Sequence, residues 1–323
     1  MQLFGNTIRF NVQATTGRVS FADYLANWQL CERLGYDVSY ATDHFVMYSA
    51  ETGPAPVLEG PTVLSAMAAH TSTMRCGLMV AGNTYRNPGV LAKIAVTLDH
   101  VSNGRLELGM GSGHTQIEHE QYGIPYLDQP TRLHMLSESV QIVKSLLANE
   151  RTTFQSEFYS FTDALCEPKP VQNPLPILIG GIGERLSLRI VAESADIWNN
   201  WTSPDLEVYQ QKLEALERHC ADVGRDPNDI RKSMHIKPLV GENQADIDER
   251  APGQPRNRWQ GTPEQLIEHL LEFVKLGVSD FVFMLDTPAD YRSLELIATK
   301  VAPEVRTEGA KLLEDGLAAG SRG

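Results

Sequence analysis

The chain is poor in cysteine and in positive charge, and it has no long apolar run. Its four cysteines, Cys31, Cys76, Cys166 and Cys220, are scattered without a CxxC pair or metal-type spacing. That pattern excludes a disulfide framework and suits reduced thiols in a cytoplasmic protein. No stretch approaches the ~18 consecutive apolar residues that a membrane span needs. The start, MQLFGNTIRF, lacks a basic segment followed by an apolar one, so no signal peptide is expected. Lysine and arginine number 28 against 41 aspartates and glutamates, a net charge of −13. So acidic a chain repels phosphate backbones and anionic membranes, and neither is an expected partner. Three motifs are also missing. Without GK[ST] there is no P-loop, without HExxH no zinc-protease helix, and without GxSxG no hydrolase elbow.

What the sequence does have is alternation between strand and helix patterns. Ile8, Phe10 and Val12 alternate with polar neighbours, and Phe21, Leu25, Trp28, Cys31 and Leu34 then recur at helical spacing. Further strands are expected at Asp37–Ala41, Cys76–Ala81, Leu106–Met110, Pro176–Ile179, Asp196–Asn199, Met234–Val240 and Asp280–Leu285. Helical stripes separate nearly all of them, for example Leu91, Ile94, Ala95, Leu98 and Val101 after Pro88. A barrel and an open doubly wound sheet both satisfy such alternation. Eight strands and this length favour a single (β/α)8 TIM barrel spanning 1–323. Two insertions follow the fourth and seventh strand regions, near 150–173 and 241–261. The first carries Phe154, Phe158, Tyr159 and Phe161 and suits a small hairpin; the second is polar, rich in proline and arginine, and reads as a mobile loop.

In a barrel, chemistry collects just after the C-terminal end of each strand. The second strand ends in Thr42-Asp43-His44-Phe45, and a histidine there can take or give a proton. In isolation the pair reads equally as a helix cap beside a packing histidine. The fourth strand ends in Gly109-Met110-Gly111-Ser112-Gly113-His114. This run fails the dinucleotide fingerprint because His114 stands at the third glycine; its small residues suit a planar ring lying against the barrel mouth. The fifth ends in Gly180-Gly181-Ile182-Gly183-Glu184-Arg185, where backbone N–H groups and a helix start suit an anion such as a phosphate. His114 and His119 with Glu118 and Glu120 do not have metal-ligand spacing, and no metal is expected.

Three stretches together resemble the bacterial luciferase-like monooxygenase superfamily. They are TYRNPGVLAKIAVTLDHVSNGRLELGMGSGHTQIEHEQYGIP (84–125), PILIGGIGERLSLRIVAESADIWN (176–199) and GTPEQLIEHLLEFVKLGVSDFVF (261–283), with ATDHF (41–45) at the place of the family's acid–histidine pair. The DHF, AGNT and TYRNP segments are most similar to its F420-dependent branch. The resemblance covers nearly the whole chain. It implies a TIM barrel, usually a homodimer, that binds coenzyme F420 or, as the alternative, FMN.

By the same resemblance, a cis peptide is expected at Met79-Val80, pressing on the back face of the ring, with Ala81, Gly82 and Asn83 beside it. Ser112 and Gly113 would border the cofactor, and Gly180, Gly181, Ile182, Gly183, Glu184 and Arg185 would hold its phosphate. His44 would handle the proton, Asp43 would contact the ring or orient it, and His114 would be a second candidate for proton transfer. One departure is that F420-dependent sugar-phosphate dehydrogenases have a glutamate where His114 stands. With no matching set of basic residues, this argues against a sugar phosphate as substrate. Three functions are weighed. The leading one is hydride transfer between F420 and a small organic substrate. The second is FMN-dependent oxygenation with a partner reductase, and the third is a non-catalytic cofactor-binding subunit.

Overall fold

Strand β1 (Arg9–Ala14) is buried along its whole length, yet it alternates between two environments. Phe10, Val12 and Ala14 pack outward into the main core, while Arg9, Asn11 and Gln13 face inward. That double burial is the mark of a strand in a closed barrel whose outside is covered by helices. The computed structural model describes residues 7–49, 53–201, 205–252, 257–285 and 289–320.

In chain order, β1 is followed by α1 (Phe21–Leu34), β2 (Val38–Ala41), α2 (Gly60–His70), β3 (Arg75–Gly82), α3 (Pro88–Val101) and β4 (Leu106–Gly111). Then come α4 (Gln116–Tyr122), α5 (Gln129–Ala148), β5 (Ile177–Gly180), α6 (Ser187–Ser194), β6 (Ile197–Asn200) and α7 (Leu206–Val223). The chain continues through β7 (Arg231–Ile236), α8 (Gln244–Arg250), α9 (Pro263–Val274), β8 (Val278–Leu285), α10 (Tyr291–Leu296) and α11 (Ala302–Gly320). Strands β1 to β8 pair in parallel with their sequence neighbours, and β8 closes on β1, which gives the expected (β/α)8 barrel. Local signals start and stop the helices. Ser20 caps α1 by accepting from Asp23 N at 3.1 Å, and Gly35, at φ 81°, ends it in a left-handed turn that suits glycine.

The interior is stratified. At the N-terminal floor, Asp280 accepts from Arg9 Nε at 2.8 Å and Arg231 Nε at 2.6 Å. Glu107 accepts from Arg9 Nη1 at 2.6 Å, Arg75 Nε at 2.8 Å and Tyr40 OH at 2.5 Å. Burial alone would raise the Glu107 carboxyl, but Arg9 and Arg75 outweigh it and hold it at about 2. Above the floor an apolar layer of Val38, Tyr40, Met79, Leu178, Ile197 and Val282 fills the barrel.

The insertions differ in how far they match expectation. The first holds an antiparallel hairpin, Thr152–Gln155 with Ser160–Ala164. The second is built rather than open. It contains α8, and Leu239–Val240 pairs in parallel with Gln260–Gly261. Arg250 spans Asp290, at 2.9 and 3.0 Å, and the Val240 carbonyl; residues 253–256 of this insertion lie outside the described residues. Expected strand Met234–Val240 is also corrected, because β7 begins at Arg231. Two charged residues hid its start, and Asp280 on the neighbouring strand is what buries Arg231. The final helix runs well past Val301, and α4 was not anticipated. Among the described residues, no helix is long and apolar enough to cross a membrane.

Candidate active site

At the C-terminal mouth, β3 carries a bulge, and its register against β4 slips between Leu78 and Ala81. The Met79–Val80 peptide is cis, at the position the sequence suggested. Gln13, the last inward residue of β1, donates from Nε2 to Met79 O at 2.8 Å. Val80 then lies over glycines of two neighbouring strands. A Cβ on Gly109 would stand 2.0 Å from Leu78 O, and one on Gly111 would stand 2.4 Å from Val80 Cγ2. These glycines let the bulge settle onto β4. Gly109→Ala is therefore expected to push the bulge away, lowering stability by about 1–3 kcal/mol. Thermal melts and cofactor titration would show it, and a variant with unchanged melting and affinity would contradict the role of the contact.

Asp43 is held by the neighbouring strand end. Its buried carboxylate accepts from Arg86 Nη1 at 2.6 Å, Arg86 Nη2 at 2.9 Å and Gly82 N at 3.0 Å. Arg86 also reaches Glu59 at 2.5 Å, and Glu59 in turn caps α2 through Thr62 N at 2.7 Å. Asp43 thereby clamps the end of β2 to the end of β3. Asn83 is buried at the same edge; its N donates to Gly111 O at 2.8 Å, and its amide reaches Tyr159 OH of the hairpin at 3.4 Å.

The partner of His44 is Glu118. His44 Nδ1 lies 3.1 and 3.2 Å from the two oxygens of this buried carboxylate. Glu118 also accepts from Phe45 N at 2.7 Å, Val46 N at 3.0 Å and Tyr85 OH at 2.5 Å. Burial opposes its charge, yet the hydrogen bonds from His44, Tyr85 and Val46 hold it at about 2. An ionised carboxylate only accepts, so His44 Nδ1 carries the hydrogen. Its Nε2 has no partner among the described residues. The His114 ring meets His44 edge-on, with centroids 5.8 Å apart, and burial followed by the nearby His44 lowers its proton affinity. His119 is a buried peg, tied by Nδ1 to Thr115 O at 2.8 Å and by Nε2 to Thr84 Oγ1 at 2.7 Å. Among the described residues no three His, Cys, Asp or Glu side chains are grouped to hold a metal.

Across the mouth, Gly180 ends β5 and the turn to α6 begins. Cβ atoms on Gly181 and Gly183 would stand 2.9 and 3.0 Å from the Ser187 side chain, so the turn folds tightly onto the helix start. Trp198 Nε1 fixes it by donating to Gly181 O at 2.8 Å. Ile182 and Arg185 are exposed there. Glu184 instead turns toward α7, pairing with Lys212 at 2.7 Å. Ser112 and Gly113 follow β4 directly, and a Cβ on Gly113 would meet Thr84 Oγ1 at 2.5 Å.

The end of the third strand, Gly82 to Pro88, places Tyr85 and Arg86 at this mouth from sequence alone, whereas Glu118 and Gln13 are not expected there. Glu118 had been considered only as a metal ligand, and nothing in its local pattern points to a histidine 74 residues away.

A parallel barrel with a bulged third strand, a glycine-floored mouth and a carboxylate-held histidine defines a cofactor-dependent barrel enzyme. The family model for luciferase-like monooxygenases matches residues 3–260, and the chain belongs to that family. It is an F420- or flavin-dependent oxidoreductase. A relative from Microbacterium testaceum, an F420-dependent glucose-6-phosphate dehydrogenase, is 30% identical over 232 residues, 71% of this chain and 68% of the relative. The F420-dependent tetrahydromethanopterin reductase of Methanopyrus kandleri superposes with a TM-score of 0.77 at 16% identity, over 92% of this chain and 99% of its own. A riboflavin lyase solved with modified FMN and riboflavin gives 0.81 at 12% identity, over 94% and 92%. These two share the fold.

Proposed function

We propose that this enzyme transfers a hydride between F420 and a small organic alcohol or carbonyl compound, with His44 moving the accompanying proton. The observation that carries the reading is the His44–Glu118 pair at the mouth, beside the bulged end of β3. The residues fit such a group. Val80, seated on the glycines of β4, would form one side of the ring's bed, Ser112 and Gly113 would form its rim, and the turn Gly180–Gly183 with exposed Arg185 would take the phosphate. When bound, the deazaflavin supplies the carbon that accepts or gives the hydride.

The chain's own part is proton handling and positioning. With Nδ1–H committed to Glu118, His44 presents the lone pair of Nε2. In oxidation of an alcohol the C–H hydrogen leaves as hydride, the O–H proton passes to Nε2, and the C=O bond forms. The imidazolium so produced faces an ionised carboxylate that stabilises it. Reduction runs the same steps backward. The clamp of Asp43, Arg86 and Glu59 keeps the loop carrying His44 in register with the bulge.

Titration with F420 and with FMN, followed by fluorescence, tests the cofactor. F420 is expected to bind at least about tenfold more tightly, a difference of ~1.4 kcal/mol. Tight FMN binding without F420 binding would overturn the reading in favour of a flavin monooxygenase.

A further inference from the structure

Two rows of interior side chains run up β6 and β7, and each ends on a residue that the proton-transfer steps leave unused. Alternation makes the first row Ile197, Asn199 and Trp201, and the second Arg231, Ser233 and His235. Contacts fix the face. Ile197 belongs to the apolar layer, Asn199 Nδ2 donates to Ser233 Oγ at 3.1 Å, and Arg231 pairs with Asp280. The register Asn200–Met234 sets Trp201 beside His235, and their rings meet edge-on with centroids 4.4 Å apart and planes at 76°.

The pair is odd in two respects. His235 is only 5% exposed, yet neither ring nitrogen has a hydrogen-bond partner among the described residues. Natural interiors leave few polar groups in that condition. Trp201, by contrast, is 60% exposed, while Trp28, Trp198 and Trp259 are buried. An exposed indole set edge-on against a buried imidazole without a partner offers an apolar face and a polar group to one ligand. In the barrel order β6 stands four strands from β2, so this pair lies across the mouth from His44.

We propose that Trp201 and His235 form the far end of the substrate site, taking an uncharged cyclic molecule that carries a second oxygen besides the reacting one. The indole covers the ring, and the imidazole matches the second hydroxyl or carbonyl. Burial pushes the His235 imidazole down to about 4, so at neutral pH it offers one donor and one acceptor but no charge for a phosphate. The proposal rests on the hydride-transfer reading for its chemistry, though not for the binding step.

The test uses cyclohexane-1,4-diol, cyclohexanol and glucose 6-phosphate as probes. Trp201 dominates the quencher-accessible tryptophan fluorescence, and Trp201→Phe defines its share. The diol is expected to shield it from iodide, with glucose 6-phosphate giving no shielding. In turnover with F420, His235→Phe is expected to raise KM for the diol about ten- to a hundredfold while leaving kcat within about twofold and cyclohexanol little changed. Because the substitution removes an unmatched polar group, its melting temperature is expected to hold or rise as KM worsens. His235→Gln, which restores a donor and an acceptor, should recover part of the loss. Shielding by glucose 6-phosphate in preference to the diol, or an unchanged diol KM in His235→Phe, overturns the proposal. A variant that melts early and binds normally assigns His235 to packing alone and overturns it too. If F420 fails to bind, the hydride-transfer reading falls, and the shielding measurement still decides this one.

Discussion

Replacing His44 with alanine is expected to lower kcat by about 10²–10⁴-fold, the usual worth of a positioned acid or base, while F420 affinity changes little. The part proposed for the imidazole is proton transfer and not cofactor holding, so turnover and binding should separate. Glu118→Gln should give a second, distinguishable loss. An amide can donate as well as accept, so the substitution frees the His44 Nδ1 hydrogen and removes the charge opposite the imidazolium. Its kcat should fall with a changed pH–rate profile, and the folded structure should persist because Phe45 N and Val46 N still find the amide oxygen. Steady-state kinetics across pH decide the matter. Unchanged kcat in His44→Ala would remove the proton role altogether.

The second large effect concerns stability. Asp280→Asn is expected to destabilise the barrel by about 3–5 kcal/mol, because it leaves two buried arginines, Arg9 and Arg231, without their shared counter-charge. With an unfolding entropy of ~2 cal/mol/K per residue, that lowers Tm by roughly 4–8 °C. Calorimetry measures it, and a Tm within a degree of the parent would show that the backbone carbonyls near Arg231 suffice. Acid should act at both ends of the barrel, on Glu107 in the floor and on Glu118 at the mouth. Glu107 and Glu118 each lie near 2 in the folded protein against 4.5 as the ordinary value. A depressed carboxyl contributes its full stability above the ordinary value and loses it as pH falls toward the folded one. The melting temperature is therefore expected to drop between about pH 4.5 and pH 2.

The barrel was legible in the sequence because its signal is local and repeated. Eight apolar stretches alternate with helical stripes, and the strand ends collect glycine, histidine and aspartate. Where the reading slipped, a distant partner was responsible. The start of β7 looked too charged to be a buried strand until Asp280, on the next strand, neutralised Arg231. The position of His44 could be read from its place after β2, but its working partner could not. Glu118 sits on a seven-residue helix that no periodicity announced, and only the closed barrel brings that helix beside Phe45 and Val46. Asp43 and His44 are adjacent in sequence, yet their side chains part. The structure sends the two side chains to different partners, Arg86 for one and Glu118 for the other.

The seam between β1 and β8 also has a consequence for biosynthesis. Arg9 and Asp280 are 271 residues apart, so at ~5–20 residues per second the ribosome delivers the second roughly 14 to 54 s after the first. Until then the first strand has one open edge, and the floor beneath the mouth lacks a member. Gln13 on that same strand pegs the bulge that shapes the ring bed. A truncated chain ending before β8 is thus expected to emerge without the closed floor and without a competent mouth above it.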